Sequence, residues 1–272
     1  MPAFWGAVPS ERPVRREALV RLQRTLPPDT WRRPSAPLVR AGASGRAEQL
    51  LVLSWTAEML ATERAAGVRV LRRVGVTAGQ RVANNLPGAL VTPGSLLLGD
   101  VVEELGALDV PLGETKADGA IDNAWALIER VQPHALVLEA ATSERFFAAA
   151  PIKDAVQLQA LVWLHREPPK QLPSPPPSWK VERQLHCLAV PEVLSFFAYS
   201  CNDHFHCDES ISAWVVDERS LLPARVGPLL AEWVDSELGP MSFIVPWAVE
   251  ASSPRCSEER PAFHLVGSSS DP

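Results

Sequence analysis

Apolar positions along the first two thirds of the chain alternate between two periods. From Thr56 to Val74, Met59, Leu60, Ala66, Val70, Leu71 and Val74 share one face of a helix of 3.6-residue period. Gly75 and Gly79 close that helix and lead into a strand at Arg81–Leu86. Pro93–Leu105 follows as a helix and Ala107–Pro111 as a short strand. Ile121, Ala124, Trp125, Ile128 and Val131 form the next helical stripe, and Ala135–Glu139 reads as a buried strand. A short helix at Ser143–Ala149, a helical turn at Asp154–Gln159 and a strand at Leu161–Leu164 complete the series. Strands alternating with helices predict βαβ units and a layered α/β fold with a mostly parallel sheet.

The flanks break this rhythm. Residues 1–37 read as an N-terminal arm with a helix from Glu11 to about Arg24, ending before Pro27-Pro28. Leu38–Leu53, interrupted by AGASGR, reads as strand, small-residue loop, strand, and opens an α/β subdomain over 38–166. In residues 167–179 the run EPPKQLPSPPPS holds six prolines in twelve residues, so it is a linker or a loop in place of a helix. Residues 180–267 form a smaller, β-rich subdomain with strands near Arg183–Ala189, Ser210–Asp217, Gly227–Val234 and Met241–Val249, and 268–272 are a frayed tail.

Composition narrows the function classes. The chain has 272 residues, 46% of them hydrophobic, and a formal net charge of −6, which excludes a general nucleic-acid or membrane-surface binder. No apolar run approaches the ~20 residues of a membrane span, and the N-terminus lacks a signal peptide's pattern. The expected location is cytoplasmic, where the four cysteines stay reduced or bind metal. There is no G-x-S-x-G elbow, no G-x-G-x-x-G fingerprint and no H-E-x-x-H.

The densest chemistry lies in PEVLSFFAYSCNDHFHCDE, where Cys201, His206 and Cys207 fall within seven residues with His204 between them. Thiolate and imidazole suit a tetrahedral zinc, and a local pair normally borrows a ligand from a distant loop. Cys256, in ASSPRCSEERP, is the expected lender, with Cys207 or His204 as the fourth ligand. The plainer alternative is a strand end and turn with buried thiols and solvated histidines.

Taken together, GVTAGQRVANNLPGALVTPGSLLLGDVVEELGALDVPLG and the PEV…C…H stretch resemble the phenylacetate–CoA ligase family of AMP-forming adenylating enzymes. The resemblance runs from near Val39 to the C-terminus. It implies the large N-terminal domain of an adenylate-forming enzyme, with Gly106 turning a helix into the next strand and a zinc-stapled loop in the β-rich part. It equates Arg40–Glu48 with the loop that cradles ATP phosphates. Gly42, Ser44 and Gly45 are kept there, Ala43 replaces a hydroxyl residue, and Glu48 stands where a lysine is expected. Glu192 matches the magnesium-binding carboxylate. The arginine, tyrosine and aspartate that hold the ribose are absent near Pro240–Ala248.

With the small C-terminal domain also expected to be missing, the resemblance implies a degenerate, non-catalytic binding or assembly subunit. Two alternatives stand beside it. One is an AMP-forming ligase that activates a carboxylic acid with ATP and magnesium, and the other is an acyl-CoA or carrier-binding module. An aryl acid or acyl-CoA is the small-molecule partner the resemblance implies. A homodimer or protein partner is expected over an open face containing Phe243 and Trp247.

Overall fold

The structure, a computed structural model, describes residues 13–25, 36–45, 47–88, 93–150, 156–202, 204–235, 239–252 and 262–266. The chain begins with β1 (Val14–Arg15), α1 (Arg16–Thr25), β2 (Leu38–Ser44), a 3₁₀ turn (Ala47–Gln49), β3 (Leu51–Thr56) and α2 (Ala57–Arg73). The α/β series follows: β4 (Arg81–Asn84), α3 (Ser95–Glu104), β5 (Leu108–Pro111), α4 (Asp118–Val131), β6 (Ala135–Glu139), α5 (Ala140–Ala148) and β7 (Gln157–His165). Next come β8 (Lys180–Val190), β9 (Leu194–Cys201), β10 (His204–Cys207) and β11 (Ser212–Val215). The chain closes with β12 (Val226–Asp235), β13 (Gly239–Ser252) and β14 (Ala262–Leu265).

Contacts divide these elements into two compact units. One holds 64–167 and 171–189; the other holds the described residues up to Glu63, 168–170 and those from Val190 onward. The first unit is a parallel sheet in the order β5-β4-β6-β7-β8, and β8, expected in the β-rich part, pairs in parallel with β7 instead. Its inner strands are apolar almost without interruption, because helices and loops cover both faces of a parallel sheet. The stripe Ile121, Ala124, Trp125 and Ile128 of α4 is buried against it with Phe146 and Trp163. Trp125 stacks on Phe146 at 4.6 Å and donates its indole N–H to the Phe146 carbonyl at 3.1 Å. After α3, Gly106 takes φ +77, a left-handed turn that a Cβ would strain, and its N–H donates to Glu103 O.

One departure in this unit has a tertiary cause. Gln157–Gln159 lie in β7 rather than in a helical turn, because pairing with the neighbouring strands overrides a weak local preference. No helix joins β7 to the parallel β8. The proline-rich segment makes that connection, and Trp179 at its end packs edge-on to Trp125 at 5.6 Å.

The second unit is antiparallel, in the order β11-β12-β13-β14-β10-β9, with a separate β2–β3 hairpin. Val14 and Arg15, expected to be helical, instead pair in parallel with Phe243 and Ile244 of β13, and α1 starts only at Arg16. The expected open face at Phe243 and Trp247 is closed. Phe243 is 1% exposed beside β1, and Trp247 is buried edge-on to Phe197. A buried carboxyl group also ties this unit together: Glu63 accepts from the Trp55 indole at 3.3 Å and from the Ser195 N–H at 2.9 Å. Burial pushes its pKa up, so it stays protonated above the usual carboxylate range. No helix among the described residues is long and apolar enough to cross a membrane.

Candidate functional site

The β2–β3 hairpin folds as its sequence demands. Small residues fill the second half of β2, from Ala41 to Ser44, and Gly45, at φ +83, makes the left-handed turn out of the strand. The hairpin brings Ser44 to Glu192, 148 residues away, and the Ser44 hydroxyl donates to Glu192 Oε1 at 2.9 Å. Glu192 is 4% exposed, so its charge needs a partner. That partner is Arg16, at the first position of α1, whose Nη1 makes an ion pair with Glu192 Oε1.

The guanidinium is held on several sides. Nη1 donates to Ser44 Oγ at 2.8 Å, and Nη2 donates to the carbonyls of Ser44 at 2.9 Å and Gln49 at 2.8 Å. A Cβ on Gly45 would collide with Arg16 Nη2 and lie 2.5 Å from Gln49 O, so the loop needs glycine for close approach as well as for its turn. Burial pushes the Arg16 pKa down while Glu17 opposes the shift, and the group remains a cation at neutral pH. Arg24 similarly donates to the Glu48 carbonyl, while Glu48 itself is exposed.

The loop therefore directs carbonyl oxygens at arginine nitrogens. A phosphate cradle directs N–H groups and a lysine at an anion, which is the opposite polarity. Gly42, Ser44, Gly45 and Glu192 all lie in one unit, and Ser44, Gly45 and Glu192 converge on Arg16. Sequence reasoning missed Arg16. The sequence places the helix start at Glu11, and only the observed start of α1 at Arg16 puts a cation in its first turn, against the helix dipole.

A second cluster forms where β9 turns into β10. His204 sits opposite Cys201, and His206 opposite Tyr199, so period-2 alternation puts all four on one face. The ligand atoms of Cys201, His204 and His206 lie within 4.8 Å of one another, and both imidazoles are buried. One soft thiol and two buried imidazoles form a donor set suited to zinc. The same alternation turns Cys207 to the opposite face with Phe205, away from the cluster. Cys207 instead lines a cavity of about 450 Å³ with Asp208, Ile211, Trp214, Leu229 and Phe263. Burial, with Asp208 beside it, pushes that thiol's pKa up. Cys256 lies outside the described residues.

No protein-family model and no curated protein matches this sequence. Solved structures do match its fold. The open conformation of 2-hydroxyisobutyryl-CoA ligase, in complex with 2-HIB-AMP and CoA, superposes with a TM-score of 0.75 at 15% identity, over 96% of this chain and 63% of the ligase. The same ligase in its postadenylation state with R3-HIB-AMP gives a TM-score of 0.73 at 16% identity, over 97% and 58%. The chain thus has the mixed α/β fold seen in these 2-hydroxyisobutyryl-CoA ligase structures and spans less than two thirds of their length.

Proposed function

We propose that this chain is a non-catalytic relative of the phenylacetate–CoA ligases, serving as a binding or assembly subunit and stapled by a structural zinc at Cys201, His204 and His206. The observation that carries the non-catalytic reading is Arg16, seated between Ser44 and Glu192, where the resemblance expects the ATP phosphates and their magnesium. A magnesium-binding carboxylate must face a hydrated cation and phosphate oxygens. Here Glu192 is buried on an internal guanidinium, and the loop carbonyls of Ser44 and Gln49 are turned to the same group. Adenylation also needs an acid held in line with the α-phosphate and a cation to offset growing charge, and neither follows from this arrangement.

The fold similarity to ligases that bind acyl-adenylates and CoA keeps one rival in view, a ligase that activates a carboxylic acid with ATP. Pyrophosphate–ATP exchange across a panel of aryl and short fatty acids separates the two. The expected result is exchange at background for every acid. Exchange above background that disappears in Glu192→Ala would restore the ligase reading.

A further inference from the structure

We infer that His264 is the fourth ligand of the metal centre, giving a site of one thiolate and three imidazoles, Cys201, His204, His206 and His264. The inference rests on the zinc reading above and replaces Cys207 or Cys256 with a residue on the neighbouring strand.

β14 pairs antiparallel with β10, Phe205 opposite Phe263 and His206 opposite Ala262, which puts His264 opposite His204. Residues directly opposite in an antiparallel pair project to the same face. Cys201, His204 and His264 therefore form a row across three adjacent strands, β9, β10 and β14, with His206 two residues along. On the reverse face Phe205 stacks on Phe263 at 5.9 Å, which locks this register and keeps Cys207 turned away.

Ring separations agree with a shared metal. Two imidazoles on one tetrahedral zinc, with Zn–N near 2.0–2.1 Å, hold their ring centres roughly 5 Å apart. His204 and His206 are 5.0 Å apart at 77°. His264 stands 6.1 Å from His204 at 85°, outside the group whose ligand atoms lie within 4.8 Å, so its side chain turns inward to complete the set. Its half-buried position leaves room for that movement.

The test uses the full-length protein, zinc affinity by competition with a chromophoric chelator, and cobalt(II) absorption as a count of thiolates. The wild type should bind one zinc and give a charge-transfer band of single-thiolate strength. Cys207→Ser and Cys256→Ser should leave both readouts unchanged, and Cys201→Ser should abolish the band. His264→Ala should weaken zinc by about a hundredfold or more, since even outer-shell losses cost 10- to 100-fold. His264→Cys, which guards against simple misfolding, should retain zinc and strengthen the band to that of two thiolates. Zinc affinity lost in Cys256→Ser and kept in His264→Ala overturns the inference while sparing the zinc reading. Failure of the wild type to bind zinc overturns both.

Discussion

Replacing Arg16 by alanine destabilises the protein by about 3 kcal/mol, as expected when one partner of a buried ion pair is removed and the other charge is left inside. Glu192 is 4% exposed and the Arg16 side chain 19% exposed, so water does not take over the lost interaction. Two loop carbonyls and the Ser44 hydroxyl lose their donor at the same time. Glu192→Gln alone leaves the guanidinium without its anion and costs a similar amount. The double variant Arg16→Ala/Glu192→Gln removes both charges and should be much less damaging than the sum of the single changes. Urea denaturation of the four proteins measures this coupling. Additive losses would show that Arg16 and Glu192 act independently, against the site described here.

Lowering the pH from 7 to 5 removes about 4 kcal/mol through one pair of histidines. His165 on β7 and His186 on β8 face each other, Nε2 to Nδ1 at 3.1 Å, and the His186 ring stacks on Trp163 at 4.6 Å. Burial pushes the pKa of His165 down to about 3, aided by the neighbouring His186 ring, and that of His186 down to about 4. Both folded values lie below the unfolded value near 6.5. The contribution is therefore fully present above about pH 6.5 and is lost as the pH falls, because only the unfolded chain takes up the protons. At pH 5 that amounts to about 2 kcal/mol for each ring. Glu63, raised by burial, works in the opposite direction: the cost of keeping it protonated shrinks as the pH falls towards the ordinary carboxylate value. Trp fluorescence melts at pH 7 and 5 should show the acid loss, and His165→Leu/His186→Phe should flatten most of it. A double variant as acid-sensitive as the wild type would contradict the assignment.

Periodicity made the parallel unit legible. The stripe Ile121–Trp125–Ile128 and the run Ala135–Leu138 each carry one period over enough residues to decide the element. The antiparallel unit was less so. β9, with Leu194–Tyr199 buried throughout, reads as a continuous apolar run without alternation, and β14 is only four residues long. β1 is two residues, fixed entirely by Phe243 and Ile244 far away in sequence. The ligand-rich stretch was visible as composition, but its sorting was not. Strand alternation joins Cys201 to His204 and His206 and separates Cys207, and that requires knowing that 204–207 is a strand. The resemblance singled out Ser44 and Glu192 separately, but their hydrogen bond was not read from the sequence, and Arg16 lay in a segment read only as an arm.

The central claim is that an internal arginine occupies the place of ATP and its magnesium. Calorimetric titration of the wild-type protein with Mg-ATP tests it most directly. The account predicts no saturable binding, with any Kd weaker than ~1 mM, equivalent to less than about 4 kcal/mol of binding free energy. Saturable micromolar binding with Arg16 in place, weakened by Glu192→Ala, would contradict it.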